Sequence, residues 1–190
     1  MIYIIMGVSG SGKSSLGAFL SEKLGWPLHE GDNYHPEENV AKMARGEALT
    51  DQDRFPWLLR LHDVIERERR SGCNALVACS ALKPIYRFIL LHGSKDLPSS
   101  SSSSPPGPLL PTSLPDVFFL FLHGAYDVIH QRMVARTGHY MKVDLLESQF
   151  EALEPPHEQE NVVLLDVRRS IPDIAMEVEM HLRNHKNSQN

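Results

Sequence analysis

Five short segments with strand character alternate along the chain with segments whose apolar residues recur at helical spacing. The runs at 75–79 and 117–122 are continuously apolar, which is typical of strands buried on both faces of a parallel sheet. The other three candidate strands span 2–6, 26–30 and 162–165. This alternation predicts an α/β fold in three layers, with a five-stranded parallel sheet covered by helices on both faces.

Helices are predicted wherever apolar residues recur every three or four positions. They span 15–24, 36 to about 45, a long segment that runs through Ile65, 84 to about 91, 126 to about 136, 145–153 and 171–182. Gly25 ends the first helix, and Thr50 or Asp51 can cap the long one. The last residues, 183–190, are expected to fray.

A phosphate-binding loop is predicted directly after the first strand. Residues 7–14 read GVSGSGKS, which fits the pattern G-x-x-x-x-G-K-S, and they open a predicted helix. Glycines let consecutive backbone N–H groups face a phosphate, the lysine reaches the β- and γ-phosphates, and the last serine can ligate Mg²⁺. The alternative is a glycine-rich turn before a helix. The predicted nucleotide-binding residues are Gly7, Val8, Ser9, Gly10, Ser11, Gly12, Lys13, Ser14 and Ser15, with Ser14 also the predicted metal ligand.

Asp32 and Arg54 are candidates for substrate binding. Asp32 follows the second strand, and functional groups in open α/β sheets gather beyond the carboxyl ends of the strands. It can face a substrate hydroxyl, or it can be a turn or helix-cap acid. Arg54 falls in the first turn of the long helix, where the helix dipole disfavours a cation. An anionic partner would explain this placement, and so would a solvated ion pair with Asp51 or Asp53.

Two arginines near the end of the helix at 126–136 suggest a mobile lid. Arg132 and Arg136 are one turn apart and share a helix face, and Gly138 follows them as a hinge. A lid over about 136–156 would bring positive charge over bound phosphates and exclude water. Cations that stabilise a helix C-terminus are the ordinary alternative.

Residues 98–115 are rich in serine and proline and include six consecutive serines at 99–104. This composition cannot bury enough apolar surface to offset its ordering entropy, so we expect a flexible insertion and not a domain boundary. The whole chain, 1–190, is therefore predicted to form a single domain.

Composition disfavours several classes of partner. The formal net charge of −5 offers no basic surface for nucleic acid, and no apolar run is long enough to span a membrane. The two cysteines lack C-x-x-C spacing and no secretory signal precedes the first strand, which predicts free thiols and a cytoplasmic location. The ten histidines show no spacing typical of zinc ligands.

Five motifs resemble those of the small phosphate-loop gluconate kinases, which are related to shikimate kinase and more distantly to nucleoside monophosphate kinases. The motifs are GVSGSGKS at 7–14, GDNYHPEEN-x-x-KM-x-x-G at 31–46, LTDQDR-x-PWL at 49–58, CSALK-x-x-YR at 79–87 and GHYM-x-x-x-LL-x-SQFE-x-LEPP at 138–156. Together they span most of the chain. The last motif is distinctive and has no counterpart in generic nucleotide kinases.

The resemblance implies transfer of the γ-phosphoryl group of ATP, with Mg²⁺, to the 6-hydroxyl of D-gluconate, giving 6-phospho-D-gluconate for the pentose phosphate pathway. It implies catalytic roles for Lys13, for Asp32 as the base and for Arg136 as the lid arginine. Arg132 is similar to a residue that packs on adenine, and Arg54 to the arginine that holds the carboxylate of shikimate. Further candidates for contacts to the sugar acid are His35, Lys83, Arg87 and Gln149. A homodimer is also suggested.

The sequence departs from the family pattern at two places. Many relatives have Asp as the first acid of an acid-x-Asp pair, whereas this chain has Glu30-Gly31-Asp32, which argues against a water-mediated role of Glu30 in magnesium binding. The serine- and proline-rich segment matches no family motif. Two rival functions stay open: a kinase of the same fold for another acceptor, such as shikimate or a nucleoside monophosphate, and a non-catalytic nucleotide-binding module.

Overall fold

Five parallel strands form the centre of the fold. The computed structural model describes residues 1–93, 111–137 and 141–190. The strands are β1 Ile2–Met6, β2 Leu28–Glu30, β3 Ala75–Ala78, β4 Val117–His123 and β5 Val162–Asp166. Their order in the sheet is β2-β3-β1-β4-β5, and every neighbouring pair is parallel. The predicted α/β fold with a five-stranded parallel sheet is confirmed.

The helices of the described residues follow the predicted order with small shifts at their ends. They are α1 Lys13–Leu24, α2 Glu37–Ala44, α3 Asp51–Arg70, α4 Pro84–His92, α5 Tyr126–Thr137, α6 Met141–Ala152 and α7 Ile171–Ser188. Thr50 caps α3 in a capping box with Asp53. The prediction that residues 183–190 fray is wrong, because α7 continues to Ser188 and His185 packs against Phe118 of β4.

The position of β1 in the sheet determines where the phosphate-binding loop opens. All five residues of β1 are fully buried, and the strand pairs with β3 on one side and β4 on the other. The loop after β1 therefore lies between the carboxyl ends of β3 and β4, where the N–H of Gly7 donates to the carbonyl oxygen of Ser80 at 3.2 Å. Residues that follow β3 are thus next to the loop, as expected for a ligand site in a parallel sheet.

Part of the predicted insertion and the predicted hinge Gly138 lie outside the described residues. The end of the insertion, 111–115, contacts the core: Leu114 packs against it, and Nδ2 of Asn161 donates to the carbonyl oxygen of Leu114 at 2.7 Å. The flexibility of the insertion and the single-domain organisation stay predictions.

The two cysteines and the helices agree with what the sequence predicts. Cys73 and Cys79 are both free thiols, as predicted. Cys79 is buried, and burial raises its pKa to about 12, so it stays protonated at neutral pH. Within the described ranges, none of the helices has the length and apolar character needed to cross a membrane.

Candidate active site

The phosphate-binding loop runs from Gly7 to Gly12, between β1 and α1. Gly7, Gly10 and Gly12 have φ values of 147°, 75° and 101°, a region that residues with a side chain rarely adopt. Space is also limiting, since a Cβ on Gly7 would lie 2.7 Å from the carbonyl oxygen of Leu122, and one on Gly10 would lie 2.4 Å from Cγ of Met133. The glycines therefore keep the loop open for its N–H groups and the N-terminus of α1 to face an anion.

Lys13 and Ser11 line this loop. Nζ of Lys13 donates to the carbonyl oxygens of Gly7 and Val8, both at 3.0 Å, so the side chain folds over the loop. Burial lowers the pKa of Lys13, and the negative charge of Asp32 opposes that shift. Among the described residues, Oγ of Ser11 is a buried side-chain atom without a hydrogen-bond partner. An unpaired hydroxyl within a loop of amides fits a phosphate ligand, which would supply an acceptor.

Ser14 and Glu30 meet beside the loop. Oγ of Ser14 donates to Oε2 of Glu30 at 3.1 Å. A hydroxyl and a carboxylate are oxygen ligands of the kind that Mg²⁺ prefers, although the described residues contain no group of three His, Cys, Asp or Glu that could hold a metal ion alone. The proximity of Glu30 to Ser14 favours a role near the metal, contrary to what the departure from the family pattern indicated.

Asp32 lies in a short 3-10 turn, Gly31–Tyr34, directly after β2. Gly31 packs closely on β3, since a Cβ there would lie 2.4 Å from the carbonyl oxygen of Ala78. Nε1 of Trp57 donates to the carbonyl oxygen of Gly31 at 2.7 Å and fixes the turn from the other side. The carboxylate of Asp32 is exposed, caps no described helix and has no hydrogen bond or ion pair with a described residue. This geometry favours contact with a substrate, and the role of Asp32 as base stays a prediction.

His35 is held between an aromatic ring and an amide. Its imidazole stacks on the indole of Trp57 with ring centroids 4.1 Å apart, and Nδ2 of Asn39 lies 3.3 Å from its Nδ1. Burial lowers the pKa of His35, while the charge of Asp32 raises it and that of Arg54 lowers it. His35 is therefore within electrostatic reach of both predicted substrate-binding residues.

Arg54 belongs to a network that joins the start of α3 to α4. Its Nη1 donates to the carbonyl oxygen of Leu49 at 2.7 Å and to the hydroxyl of Tyr86 at 3.2 Å. Nζ of Lys83 lies 3.1 Å from Oδ1 of Asp51, and the hydroxyl of Tyr86 donates to the same carboxylate. The hydrogen bond from Tyr86 and the one from Lys83 lower the pKa of Asp51.

The charge of this network is positive overall. The network contains two cations, Arg54 and Lys83, and one carboxylate, Asp51, because Asp53 pairs with Lys42 at 2.7 Å instead. In the part of the chain that the structure describes, Arg54 forms no ion pair with Asp51 or Asp53, which argues against that explanation of its placement. The guanidinium can therefore bind a carboxylate from a ligand.

Arg87 requires a correction. Its side chain is fully buried, its Nε lies 2.7 Å from Oε1 of Glu160, and its Nη1 donates to the carbonyl oxygen of Ala81 at 2.9 Å. The prediction that Arg87 contacts the substrate is wrong, because the guanidinium is enclosed and already paired. It stabilises the turn before α4, in which Ala81 has a φ of 47° and which leads to Lys83.

Gln149 contacts the phosphate-binding loop, and its predicted contact to the sugar acid stays a prediction. Its Oε1 accepts a hydrogen bond from the N–H of Ser9 at 2.6 Å, and its Nε2 donates to Oγ of Ser9 at 2.9 Å. Both contacts are made to the phosphate-binding loop. Gln149 therefore connects α6, within the predicted lid region, to that loop.

Arg132 and Arg136 lie on α5, which borders the phosphate-binding loop through the contact of Met133 with Gly10. Both arginine side chains are exposed, and neither has a hydrogen bond or ion pair with a described residue. Their charges are therefore available to phosphates. Because Gly138 lies outside the described residues, the lid motion stays a prediction.

Three contributors to the site were not identified from the sequence as functional residues. Asn39 contacts the ring of His35, Trp57 stacks on it, and Tyr86 joins Arg54 to the carboxylate of Asp51. Trp57 is also part of the core, since it is 3% exposed. All three lie within the motifs at 31–46, 49–58 and 79–87. The motifs therefore include these residues, but they do not show which groups the residues contact.

Known proteins similar to this chain match it over most of its length, although no protein-family model matches. A probable gluconokinase from Mus musculus is 46% identical over 177 residues, which cover 93% of this chain and 95% of the relative. The thermosensitive gluconokinase of Escherichia coli (strain K12) is 39% identical over 174 residues, which cover 91% and 82%. The crystal structure of a gluconokinase from Sinorhizobium meliloti 1021 matches with a TM-score of 0.77 at 38% identity, covering 98% of this chain and 94% of that chain.

Proposed function

Because this chain belongs to the gluconokinase family, we propose that it transfers the γ-phosphoryl group of ATP to the 6-hydroxyl of D-gluconate, giving 6-phospho-D-gluconate and ADP. The observation that carries the proposal is the separation of charge beside the phosphate-binding loop. Arg54 and Lys83 provide excess positive charge, whereas Asp32 provides a carboxylate that is not paired with any of the described residues. D-gluconate has the matching groups, a carboxylate at one end and a hydroxyl at the other.

Asp32 acts on the acceptor hydroxyl. Its carboxylate accepts the hydrogen bond of the 6-hydroxyl, orients the oxygen towards the γ-phosphorus and takes up the proton during transfer. The bond from the 6-oxygen to phosphorus forms while the bond from phosphorus to the β,γ-bridging oxygen breaks. Lys13 and the N–H groups of the loop hold the phosphates and offset the charge on the transferring oxygens.

The carboxylate of the sugar acid binds at Arg54. A guanidinium and a carboxylate can form two parallel hydrogen bonds, and Lys83 adds a second positive charge nearby. The neutral sugar D-glucose lacks this group and would leave Arg54 without an anionic partner. The network therefore favours an acid over a neutral sugar.

Mg²⁺ fits the oxygen groups of Ser14 and Glu30. Ser14 would ligate the ion through its hydroxyl, and Glu30 would act through a bound water, because its carboxylate is already in contact with that hydroxyl. When bound, the ion neutralises charge on the phosphates of ATP.

The region around α5 and α6 closes the nucleotide side. Arg136 would reach the phosphates and Arg132 would pack on adenine, since both lie next to the loop and neither is paired with a residue that the structure describes. The cytoplasmic location, and the homodimer that the resemblance suggests, stay predictions.

A panel of acceptors tests the proposal. Purified protein is given ATP and Mg²⁺ with D-gluconate, D-glucose, shikimate or AMP, and ADP release is followed in a coupled assay. We expect turnover with D-gluconate and a kcat/KM roughly 10- to 100-fold lower with D-glucose, the loss that corresponds to one charged hydrogen-bonded contact. Preference for shikimate or AMP would support the rival kinases. ATP binding without acceptor-dependent ADP release would support a non-catalytic module.

A further inference from the structure

The side-chain amide of Asn39 has a fixed orientation. Asn39 lies on α2 and is 3% exposed, so its polar atoms depend on protein partners. Its Nδ2 lies 2.7 Å from the main-chain carbonyl oxygen of Asp53. A carbonyl oxygen can only accept a hydrogen bond, so the atom of the amide that faces it must be the NH₂ donor.

The same amide nitrogen faces the ring of His35. Nδ2 of Asn39 lies 3.3 Å from Nδ1 of His35. Because an amide nitrogen can only donate, Nδ1 must accept with its lone pair, and the ring proton is on Nε2. Nε2 has no hydrogen-bond partner among the described residues, so its N–H is available to a ligand.

We propose that Asn39 is a positioning residue that holds His35 as the neutral tautomer protonated on Nε2, so that the ring donates a hydrogen bond to a hydroxyl oxygen of the sugar acid. The choice of ligand rests on the proposed function. His35 interacts electrostatically with Asp32 and with Arg54, which bind the two ends of D-gluconate in that proposal. A ring within electrostatic reach of both residues can therefore contact the middle of the substrate, where the groups are hydroxyls.

Two further contacts support this arrangement of the ring and the amide. The imidazole stacks on the indole of Trp57 at an interplanar angle of 16°, and Trp57 is itself held by its hydrogen bond to the carbonyl oxygen of Gly31. On the other side, Lys42 of α2 pairs with the carboxylate of Asp53 at 2.7 Å. This ion pair ties the helix that carries Asn39 to the start of α3.

The surroundings of the ring agree with a neutral form. Burial and the positive charge of Arg54 disfavour protonation, and the negative charge of Asp32 on the 3-10 turn opposes them. Asp53 on α3 is neutralised by Lys42. A doubly protonated ring would also direct an N–H of Nδ1 at the NH₂ of Asn39, where two donors would face each other.

The tautomer can be measured without turnover. In the full-length protein labelled with ¹⁵N-histidine, ¹H–¹⁵N correlation spectra report which ring nitrogen carries the proton, and the His35 signals are identified by their loss in His35→Gln. We expect a proton on Nε2 alone in the parent protein. In Asn39→Asp we expect a proton on Nδ1, because a carboxylate accepts from it. Glu38→Gln, at an exposed position of α2, is the control and should leave the spectrum of His35 unchanged.

Two results would overturn the tautomer assignment: a proton on Nδ1 in the parent, or an unchanged ring in Asn39→Asp. A second pair of variants does not depend on Asn39. The amide of a glutamine at position 35 reaches the place of Nε2, whereas that of an asparagine reaches the place of Nδ1. We expect KM for D-gluconate to be about two- to tenfold higher in His35→Asn than in His35→Gln, with KM for ATP unchanged.

Equal KM values for D-gluconate in His35→Asn and His35→Gln would contradict the donor role of Nε2. If the parent protein did not phosphorylate D-gluconate, the proposed function would fail, whereas the NMR spectra would still decide the tautomer. The two failures are therefore distinguishable.

Discussion

The phosphate-binding loop and the sugar-acid side of the site, which comprises Asp32, His35, Arg54 and Lys83, are built in different ways. The loop is one contiguous stretch whose binding groups are mainly main-chain N–H groups kept open by glycines. The sugar-acid side brings together side chains from four segments: the 3-10 turn, the residues before α2, the first turn of α3 and the N-cap of α4. Single substitutions should therefore separate the use of the sugar acid from the binding of ATP.

The largest effect is expected at Asp32. Asp32→Asn keeps the shape of the side chain but removes the base, so kcat should fall by about two to four orders of magnitude while the Kd for ATP changes little. Steady-state kinetics and calorimetric titration with ATP measure the two quantities. Asp63→Asn, at an exposed acid of α3, is the matched control and should keep the parent rate. If Asp32→Asn turned over at the parent rate, Asp32 would have only a structural role in the 3-10 turn and would not be the base.

Substitution of Arg87 should mainly lower the stability of the protein. Arg87→Met leaves the carboxylate of Glu160 buried without its cation, which should lower the free energy of unfolding by about 3–5 kcal/mol in urea titrations. The double variant with Glu160→Leu removes both charges and should recover most of that loss. If Arg87 were instead an exposed residue that contacts the substrate, Arg87→Met would leave the free energy of unfolding within about 0.5 kcal/mol of the parent value.

The sequence was sufficient to predict those parts of the site in which binding depends on residues that are adjacent in the chain. The glycines at 7, 10 and 12 and the strand before them predicted the loop, because each of its requirements is local. Arg87 was misassigned because its partner, Glu160, is 73 residues away in the chain, and no local pattern distinguishes a buried ion pair from a ligand contact. Asn39 was missed for the same reason, since its role depends on the carbonyl oxygen of Asp53.

The prediction at Arg54 tests the sugar-acid side alone. Arg54→Ala removes a charged hydrogen-bond donor, so KM for D-gluconate should rise roughly 10- to 100-fold while KM for ATP stays within about twofold. Arg54→Lys keeps the charge but cannot form the two parallel hydrogen bonds, and it should lie between the parent and Arg54→Ala. Equal increases in KM for both substrates would refute the assignment of Arg54 to the carboxylate.

The smallest effect is expected at Gln149, and it should have the opposite selectivity. Gln149→Ala removes two neutral hydrogen bonds to Ser9 of the phosphate-binding loop, so KM for ATP should rise about two- to tenfold with KM for D-gluconate unchanged. Gln149→Glu should raise KM for ATP further, because a carboxylate there repels the phosphates and cannot donate to Oγ of Ser9. Glu151→Gln, at an exposed position of the same helix, is the control and should match the parent.

Gln149 tests whether the phosphate-binding loop and the sugar-acid side are independent. It is a side chain that contacts a loop whose binding groups are mainly main-chain N–H groups. If Gln149→Ala raised KM for D-gluconate and not for ATP, α6 would belong to the sugar-acid side, and the contact with Ser9 would connect the two regions. If only KM for ATP rises, the loop depends on one distant side chain for its shape. The two regions then remain separable, since Gln149 and Arg54 would each control the binding of one substrate.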